Sequence, residues 1–285
     1  MRKVLVTGAT GFIGNYVVGK LVERGFEVIA SSRKSLEEVQ RFDWVDKVKY
    51  VRWDLNNFND NFFQLFKEPD LLIHLAWEGT SDLKSLVHIE KNLFSSYFFI
   101  KNMIKSGLKD LVVIGTCVEY GMKNGCLKED MKTEPVVPYA IAKDALRKFI
   151  EELGKKYKFD FKWIRLFYMY GKGQSPNSLL SQLDKALQNN EEAFNMSGGE
   201  QLRDYLYVGK VAEYIVKISM QNKINGVINC CSGKPVSIKD LVEEHLRKRG
   251  RNITLNFGHY PYLDYEPMRF WGDIEKLNKI FFKQN

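Results

Sequence analysis

Short apolar runs alternate with amphipathic stretches through the first half of the chain. Lys3–Val6, Glu27–Ala30, Val48–Arg52, Leu71–His74, Leu111–Gly115 and Phe161–Arg165 are built on β-branched, leucine and aromatic residues and read as strands. Between them, Gly11–Arg24, Asp60–Phe66, Leu86–Lys105 and Ala140–Tyr157 carry apolar residues at helical spacing, the first of these closed by Gly25. Strands separated by helices are joined by crossovers and pair in parallel, so this alternation predicts an α/β fold with a doubly wound parallel sheet. After Arg165 the pattern changes. A loop and helix occupy 174–190, then come a short segment Arg203–Val208, a helix Val211–Gln221, a strand Gly226–Cys231 and a helix Ile238–Arg249. The tail from Asn252 is aromatic. The expected organisation is a first domain over 1–165 and a smaller region over 166–285, with about 203–232 returning to the first.

Composition narrows the classes. The 285 residues are 45% hydrophobic and 27% charged, which argues against long disorder. No apolar run approaches the roughly 20 residues that span a bilayer, so no membrane role is expected. The net charge of +8 comes from scattered cations with acids among them. The densest run, Arg247 to Arg251, reads as the cationic end of a helix. Phosphate-bearing small ligands account for the excess, and no nucleic-acid partner is expected. Cys117, Cys126, Cys230 and Cys231 fit no zinc spacing, so no metal is expected, and the adjacent Cys230 and Cys231, in a strand-like segment, read as reduced core residues. The first strand starts near Lys3, which leaves no room for a leader. A cytoplasmic protein is the expectation.

Two constellations carry chemistry. Gly8, Gly11 and Gly14 follow the first strand and open a helix, spaced G-x-x-G-x-x-G. The first glycine allows a tight turn, the second admits a pyrophosphate, and the third lets helix pack on strand. The helix N-terminus then offers unpaired N–H groups to the anion. At the end of the second strand, Ser32 stands where an acid would accept the ribose hydroxyls of NAD, and Arg33 and Lys34 follow. A hydroxyl and cations suit a 2′-phosphate, so NADP(H) is expected. Asp54 after the third strand could accept from adenine or stand as a solvated loop acid, and both readings stay open. His74, flanked by apolar residues, reads as a satisfied core histidine.

Tyr139 and Lys143 are four apart on a helix, on one face. The ammonium would stabilise a phenolate and bring proton exchange with a carbonyl oxygen toward neutrality. Thr116, at the end of the fifth strand in Gly115-Thr-Cys-Val-Glu-Tyr-Gly121, could hydrogen-bond the reacting oxygen.

Together with Val6-Thr-Gly-Ala-Thr-Gly-Phe-Ile-Gly14, Asp54-Leu55, His74-Leu-Ala76, Arg165-Leu-Phe, Tyr170-Gly171 and Arg203-Asp-Tyr-Leu-Tyr-Val208, these pieces give the chain its resemblance. It resembles an extended short-chain dehydrogenase/reductase, in the branch of sugar-nucleotide epimerases, dehydratases and reductases. The resemblance implies a Rossmann domain and a catalytic triad of Thr116, Tyr139 and Lys143. It implies cofactor contacts at Gly8, Thr10, Gly11, Phe12, Ile13, Gly14, Ser32, Arg33, Asp54, Leu55, Leu75, Ala76, Tyr139 and Lys143. Substrate contacts are implied at Thr116, Tyr168, Asn177, Arg203 and Arg269, with Arg203 on the diphosphate of a nucleotide-linked sugar. Dimers through a helical bundle are common in the family, so a homodimer is an expectation by analogy.

Family dehydratases carry Asp-Glu directly after the threonine, whereas here Cys117-Val118 stands there, which argues against dehydration. Family 4-epimerases have an acid where Ser32 stands. Tyr168 replaces a substrate-touching asparagine of many members. The segments Phe167–Gly171, Gly173–Leu180 and Tyr260–Asp273 resemble 4-ketoreductases that make 6-deoxy sugars. The expected function is NADPH-dependent reduction of a nucleotide-linked 4-keto-6-deoxy sugar. A 4-epimerase and a non-catalytic NADP-binding sensor are the alternatives, and Cys117 leaves an epimerase-reductase open. Phe270 and Trp271 read equally as a lid or as core.

Overall fold

Val4-Leu-Val6 and Leu71-Leu-Ile73 are apolar at every position, so neither face of these strands can meet water and both must be covered. In the computed structural model, which describes residues 2–57 and 61–281, they lie at the centre of a parallel sheet. The strands are β1 (Lys3–Thr7), β2 (Glu27–Ser32), β3 (Lys49–Arg52), β4 (Leu71–His74), β5 (Asp110–Thr116), β6 (Gly125–Leu127), β7 (Asp160–Leu166), β8 (Tyr168–Tyr170), β9 (Ala193–Asn195), β10 (Leu202–Tyr207), β11 (Gly226–Cys230), β12 (Pro235–Ser237), β13 (Thr254–Asn256) and β14 (Phe270–Gly272). Seven of them form the main sheet in the order β11-β7-β5-β4-β1-β2-β3, and every neighbouring pair is parallel. This is a doubly wound Rossmann-type sheet, with its order reversing between β1 and β4.

The helices are α1 (Phe12–Glu23), α2 (Leu36–Val39), α3 (Phe62–Leu65), α4 (Phe94–Lys105), α5 (Pro138–Lys156), α6 (Leu179–Gln188), α7 (Val208–Met220), α8 (Ile238–Arg249) and α9 (Glu275–Phe281). Side chains of a strand alternate between faces, and the two cores follow that alternation. Val4 and Val6 of β1 join α1, α7 and α9 on one face, and Leu5 joins α3, α4 and α5 on the other. β11 extends the main sheet beside β7, although it comes long after Arg165 in sequence. A separate core gathers α6, α8 and β9, with Leu183 and Val242 fully buried in it. Between this core and the main sheet, β8, β10 and β12 make a small sheet, and β6 pairs with β14.

The helix expected over Asp60–Phe66 appears as Phe62–Leu65, and Asp60 lies outside the described residues. The helix expected over Leu86–Lys105 is α-helical only from Phe94. His88–Leu93 is π-helical, a widened turn that lets both His88 and Asn92 face the loop after β4. There His88 Nε2 meets the Asp82 carbonyl at 2.8 Å and Asn92 donates to the Glu78 carbonyl at 2.9 Å. Such turns recur at functional sites. The basic run ends α8 at Gly250, in the left-handed region, and Arg249 pairs with Asp184. All four cysteines are free thiols, and no described helix is long and apolar enough to cross a membrane.

Candidate active site

The carboxyl ends of the parallel strands, where the order reverses, open into a cleft, as expected for such sheets. Gly8 sits there at φ +69°, and a Cβ on it would lie 2.8 Å from the Ala76 amide nitrogen. A Cβ on Gly14 would lie 2.2 Å from the Gly8 carbonyl oxygen. The turn is thus closed to side chains at both ends. Gly11 caps α1 without any side-chain hydrogen bond, so the first amides of α1 stay available. This bare cradle at a helix N-terminus fits a dinucleotide pyrophosphate.

On one side of the cradle, a cavity is lined by Thr10, Ser32, Arg33, Lys34, Asp54, Leu55, Ala76 and Glu78. Ser32 Oγ lies 2.8 Å from the Tyr50 hydroxyl. The exposed Arg33 reaches across to Glu78, at 3.0 Å, and Lys91 holds the same carboxylate at 3.2 Å. Asp54 is turned partly inward, because its Oδ1 accepts from both the backbone and the side-chain amide of Asn56.

On the other side, a cavity of about 470 Å³ is lined by Phe12, Ile13, Gly14, Leu75, Trp77, Thr116, Tyr139, Lys143, Tyr168 and Glu266. Thr116 ends β5, while Tyr139 and Lys143 stand in the first turns of α5. The structure therefore brings Thr116, Tyr139 and Lys143 to one wall of one cavity. Lys143 is buried; its Nζ donates to the Ile114 carbonyl at 2.9 Å and sits 3.7 Å above the Trp77 ring. Burial pulls its pKa down to about 7, while the Glu119 charge opposes this. Burial pushes the Tyr139 phenol up, with Glu119 and Cys117 adding to the effect and the Thr116 hydroxyl opposing it. Without ligand the phenol keeps its proton.

Thr116 is held from below. Its N–H donates to Glu119 Oε1 at 2.8 Å, and its Oγ1 accepts from the Val118 amide at 3.3 Å, which closes a capping box on the turn Cys117–Tyr120. Glu119 also accepts from Trp163 Nε1 at 2.9 Å and pairs with Arg165 at 2.8 Å, both partners fully buried. Gly115 has to be glycine here, because a Cβ would fall 2.1 Å from Trp163 Nε1 and 2.5 Å from Glu119 Oε1.

A third cavity adjoins the second and shares Tyr168, Gln174 and Glu266 with it. Asn177 and Arg203 line it. Arg203 is buried over the Phe270 ring at 4.6 Å, which makes Phe270 part of the core. Its guanidinium donates to the Leu202 and Met268 carbonyls and to Glu266 at 3.0 Å. Arg269 is not brought to these cavities. Phe270 turns inward, so its neighbour points outward, and Arg269 is exposed. His74 is buried, with Nδ1 on the Thr7 hydroxyl at 2.8 Å and Nε2 on Ser96 at 3.2 Å, a satisfied core histidine held down to about 3 by burial.

Trp77, Glu78, Glu119 and Glu266 also line or brace the site, although no motif assigned them a role. Trp77 and Glu78 directly follow the quoted His74-Leu-Ala76. The spacing of Thr116 and Glu119 is that of a capping box, so that link was open to reading. Glu266 lies within Tyr260–Asp273, where the resemblance marked the stretch but not this residue.

The model of the NAD dependent epimerase/dehydratase family matches residues 4–231, and the chain belongs to this family. A dTDP-6-deoxy-L-talose 4-dehydrogenase (NAD(+)) of Aggregatibacter actinomycetemcomitans is 28% identical over 94% of this chain and 98% of its own length. A UDP-N-acetylglucosamine 4-epimerase from Methanobrevibacter ruminantium M1, solved with UDP-N-acetylmuramic acid, is 25% identical and superimposes with a TM-score of 0.87, covering 100% of this chain and 93% of the other. A UDP-glucuronic acid 4-epimerase from Bacillus cereus, solved with UDP-glucuronic acid and NAD, has a TM-score of 0.84 at 23% identity, covering 98% and 92%.

Proposed function

We propose that the chain is an NADP(H)-dependent oxidoreductase that reduces a nucleotide-linked 4-keto-6-deoxy sugar to the corresponding deoxysugar nucleotide. The observation that carries this reading is the convergence of Thr116, Tyr139 and Lys143 on a cavity that shares the glycine cradle, with Cys117 and Val118 in place of the acids a dehydration requires. Similarity to the 6-deoxytalose 4-dehydrogenase along nearly its whole length supports the chemistry at the sugar 4-position, although that relative is named for NAD(+).

Gly8, Gly11 and Gly14 would hold the pyrophosphate, Asp54 and Leu55 the adenine end, and Leu75 and Ala76 the adjoining cofactor surface. Ser32 and Arg33 would take a 2′-phosphate, once Arg33 leaves Glu78. A reduced nicotinamide held there would supply the hydride. Thr116 fixes the sugar carbonyl oxygen, and Tyr139 holds the proton that oxygen receives. Lys143 stabilises the phenolate left behind. Tyr168, Asn177 and Arg203 would hold the substrate from the neighbouring cavity.

The test is NADPH oxidation against a panel of nucleotide-linked 4-keto-6-deoxy sugars, with NADH in parallel. Tyr139→Phe is expected to lose at least ~100-fold in kcat. No turnover of any panel member by a cofactor-loaded chain would overturn the reductase. The likeness to a UDP-N-acetylglucosamine 4-epimerase supports a second reading, 4-epimerisation. Nicotinamide that copurifies in stoichiometric amount and resists exchange would favour it.

A further inference from the structure

Within the described residues, the catalytic cavity is lined by only two formally charged side chains, Lys143 and Glu266. They are not equivalent. Lys143 stands on the side of Trp77 and Tyr139, its Nζ tied to the Ile114 carbonyl. Glu266 stands where this cavity meets the one lined by Asn177 and Arg203. The cation beside Glu266 is Arg203, which donates from one Nη to the Leu202 and Met268 carbonyls and from the other to Glu266 Oε2. The remaining oxygen, Oε1, accepts the Tyr168 hydroxyl at 2.5 Å.

The carboxylate is also firmly placed. Its segment is anchored by the Leu202 amide on the Met268 carbonyl at 2.9 Å, by buried Pro267, and by Lys84 on Asp264 at 3.0 Å. Each carboxylate oxygen has more than one acceptor direction, so Glu266 can take sugar hydroxyls while keeping Tyr168 and Arg203. Because Tyr168 spends its proton on Glu266, its oxygen faces the cavity as an acceptor as well. The junction is thus rich in acceptors, and the cation beside them, Arg203, is paired with Glu266.

We infer that Glu266 is a specificity-determining residue that restricts this site to sugars without an acidic group and rejects nucleotide-linked uronic acids. The inference rests on the reading of these cavities as a sugar-nucleotide site. A hydroxyl-bearing sugar donates to Glu266 and Tyr168. A sugar carboxylate meets the negative charge of Glu266, which its pairing with Arg203 offsets only in part.

The experiment is calorimetric binding to the cofactor-loaded chain. UDP-, dTDP-, CDP- and GDP-glucose are titrated first to find the nucleotide that binds. The glucose form of that nucleotide is then compared with its glucuronate and glucuronamide forms. Wild type is expected to bind glucuronate at least ~30-fold more weakly than glucose, a typical size for a close like-charge contact, and glucuronamide within ~5-fold of glucose. Glu266→Gln is expected to bring the glucuronate-to-glucose ratio below ~5. Removing a negative charge strengthens every diphosphate ligand alike, so the ratio is the readout and not the affinity itself. Tyr168→Phe keeps the carboxylate and is expected to keep the ratio.

Equal binding of glucose and glucuronate by wild type overturns the inference and leaves the sugar-nucleotide reading standing. So does rejection of glucuronamide as strong as that of glucuronate, which would make shape the cause. This arm needs no variant and decides the matter even if Glu266→Gln fails to fold. A ratio unchanged in a folded Glu266→Gln overturns it too. No binding of any of the four glucose forms removes the sugar-nucleotide reading and this inference with it.

Discussion

Lys143 has an unusual set of neighbours for a buried ammonium. Its partners are a backbone carbonyl and the face of Trp77, and the nearest anion that supports its charge, Glu119, acts at a distance. Burial therefore wins and brings the group to about 7. The charged form is the one that stabilises a Tyr139 phenolate. As pH rises through about 7 the cofactor-free protein loses that charge, and kcat/KM, which reports the free enzyme, is expected to fall about tenfold per unit above it. Lys143→Arg stays charged throughout and should lose this alkaline limb while turning over more slowly. A wild-type profile flat from pH 6 to 9 would contradict the assignment. Arg33 is the second residue whose role can be read from rates. Replacing it with alanine is expected to raise KM for NADPH by ~10–100-fold and to leave NADH within ~3-fold, the size of a lost charged hydrogen bond. Equal changes for both cofactors would remove the 2′-phosphate role.

At the scale of elements, the glycine cradle depends on how closely α1 approaches β1. Gly14 is buried where α1 crosses the Gly8 carbonyl, and a methyl group there has 2.2 Å of room. Gly19, on the same helix, would meet nothing within 4 Å. Gly14→Ala is thus expected to displace the helix start and abolish nicotinamide cofactor binding by fluorescence titration. Gly19→Ala should bind normally and gain about 0.5–1 kcal/mol from helix propensity. Loss of binding in both variants would mean that general disturbance of α1 is responsible.

The same elements explain what could be read beforehand. Gly8, Gly11 and Gly14, or Tyr139 and Lys143, act through local spacing on one turn or one helix face, and such spacing is written directly in the sequence. The strand-helix alternation is equally local, so the sheet could be expected even though its edge strand β11 comes from beyond residue 200. Glu266 meets Tyr168 across 98 positions and Arg203 across 63. No periodicity encodes such a meeting. Arg203 illustrates the converse: its motif was legible, but its buried pairing with Glu266 was not. The π-helical turn at His88–Leu93 was hidden for a related reason, since hydrogen bonds to the loop after β4 override a helix-period pattern.

The whole molecule presents one further surface on the face of the main sheet away from α1. α4 and α5 lie side by side there, joined by Tyr97 against Phe149 with ring centroids 5.5 Å apart. Their outer sides carry Phe94 and Phe98, both 46% exposed, with Ile141 at 41% and Phe149 at 39%. Single exposed apolar side chains are ordinary, but four on two adjacent helices form a patch that water would rather lose. A homodimer, expected by analogy with the family, would bury it by apposing the α4–α5 pair of one protomer with that of its partner, a self-complementary two-fold contact. Sedimentation velocity is expected to give a dimer for the wild type. Phe94→Glu with Phe149→Glu places four carboxylates in a two-fold interface and should give a monomer. The cavities lie at the strand ends, away from these helix faces, so the monomeric variant is expected to keep its cofactor affinity. A wild type that sediments as a monomer at ~50 μM, well above the Kd of a specific interface of ordinary size, would exclude the dimer.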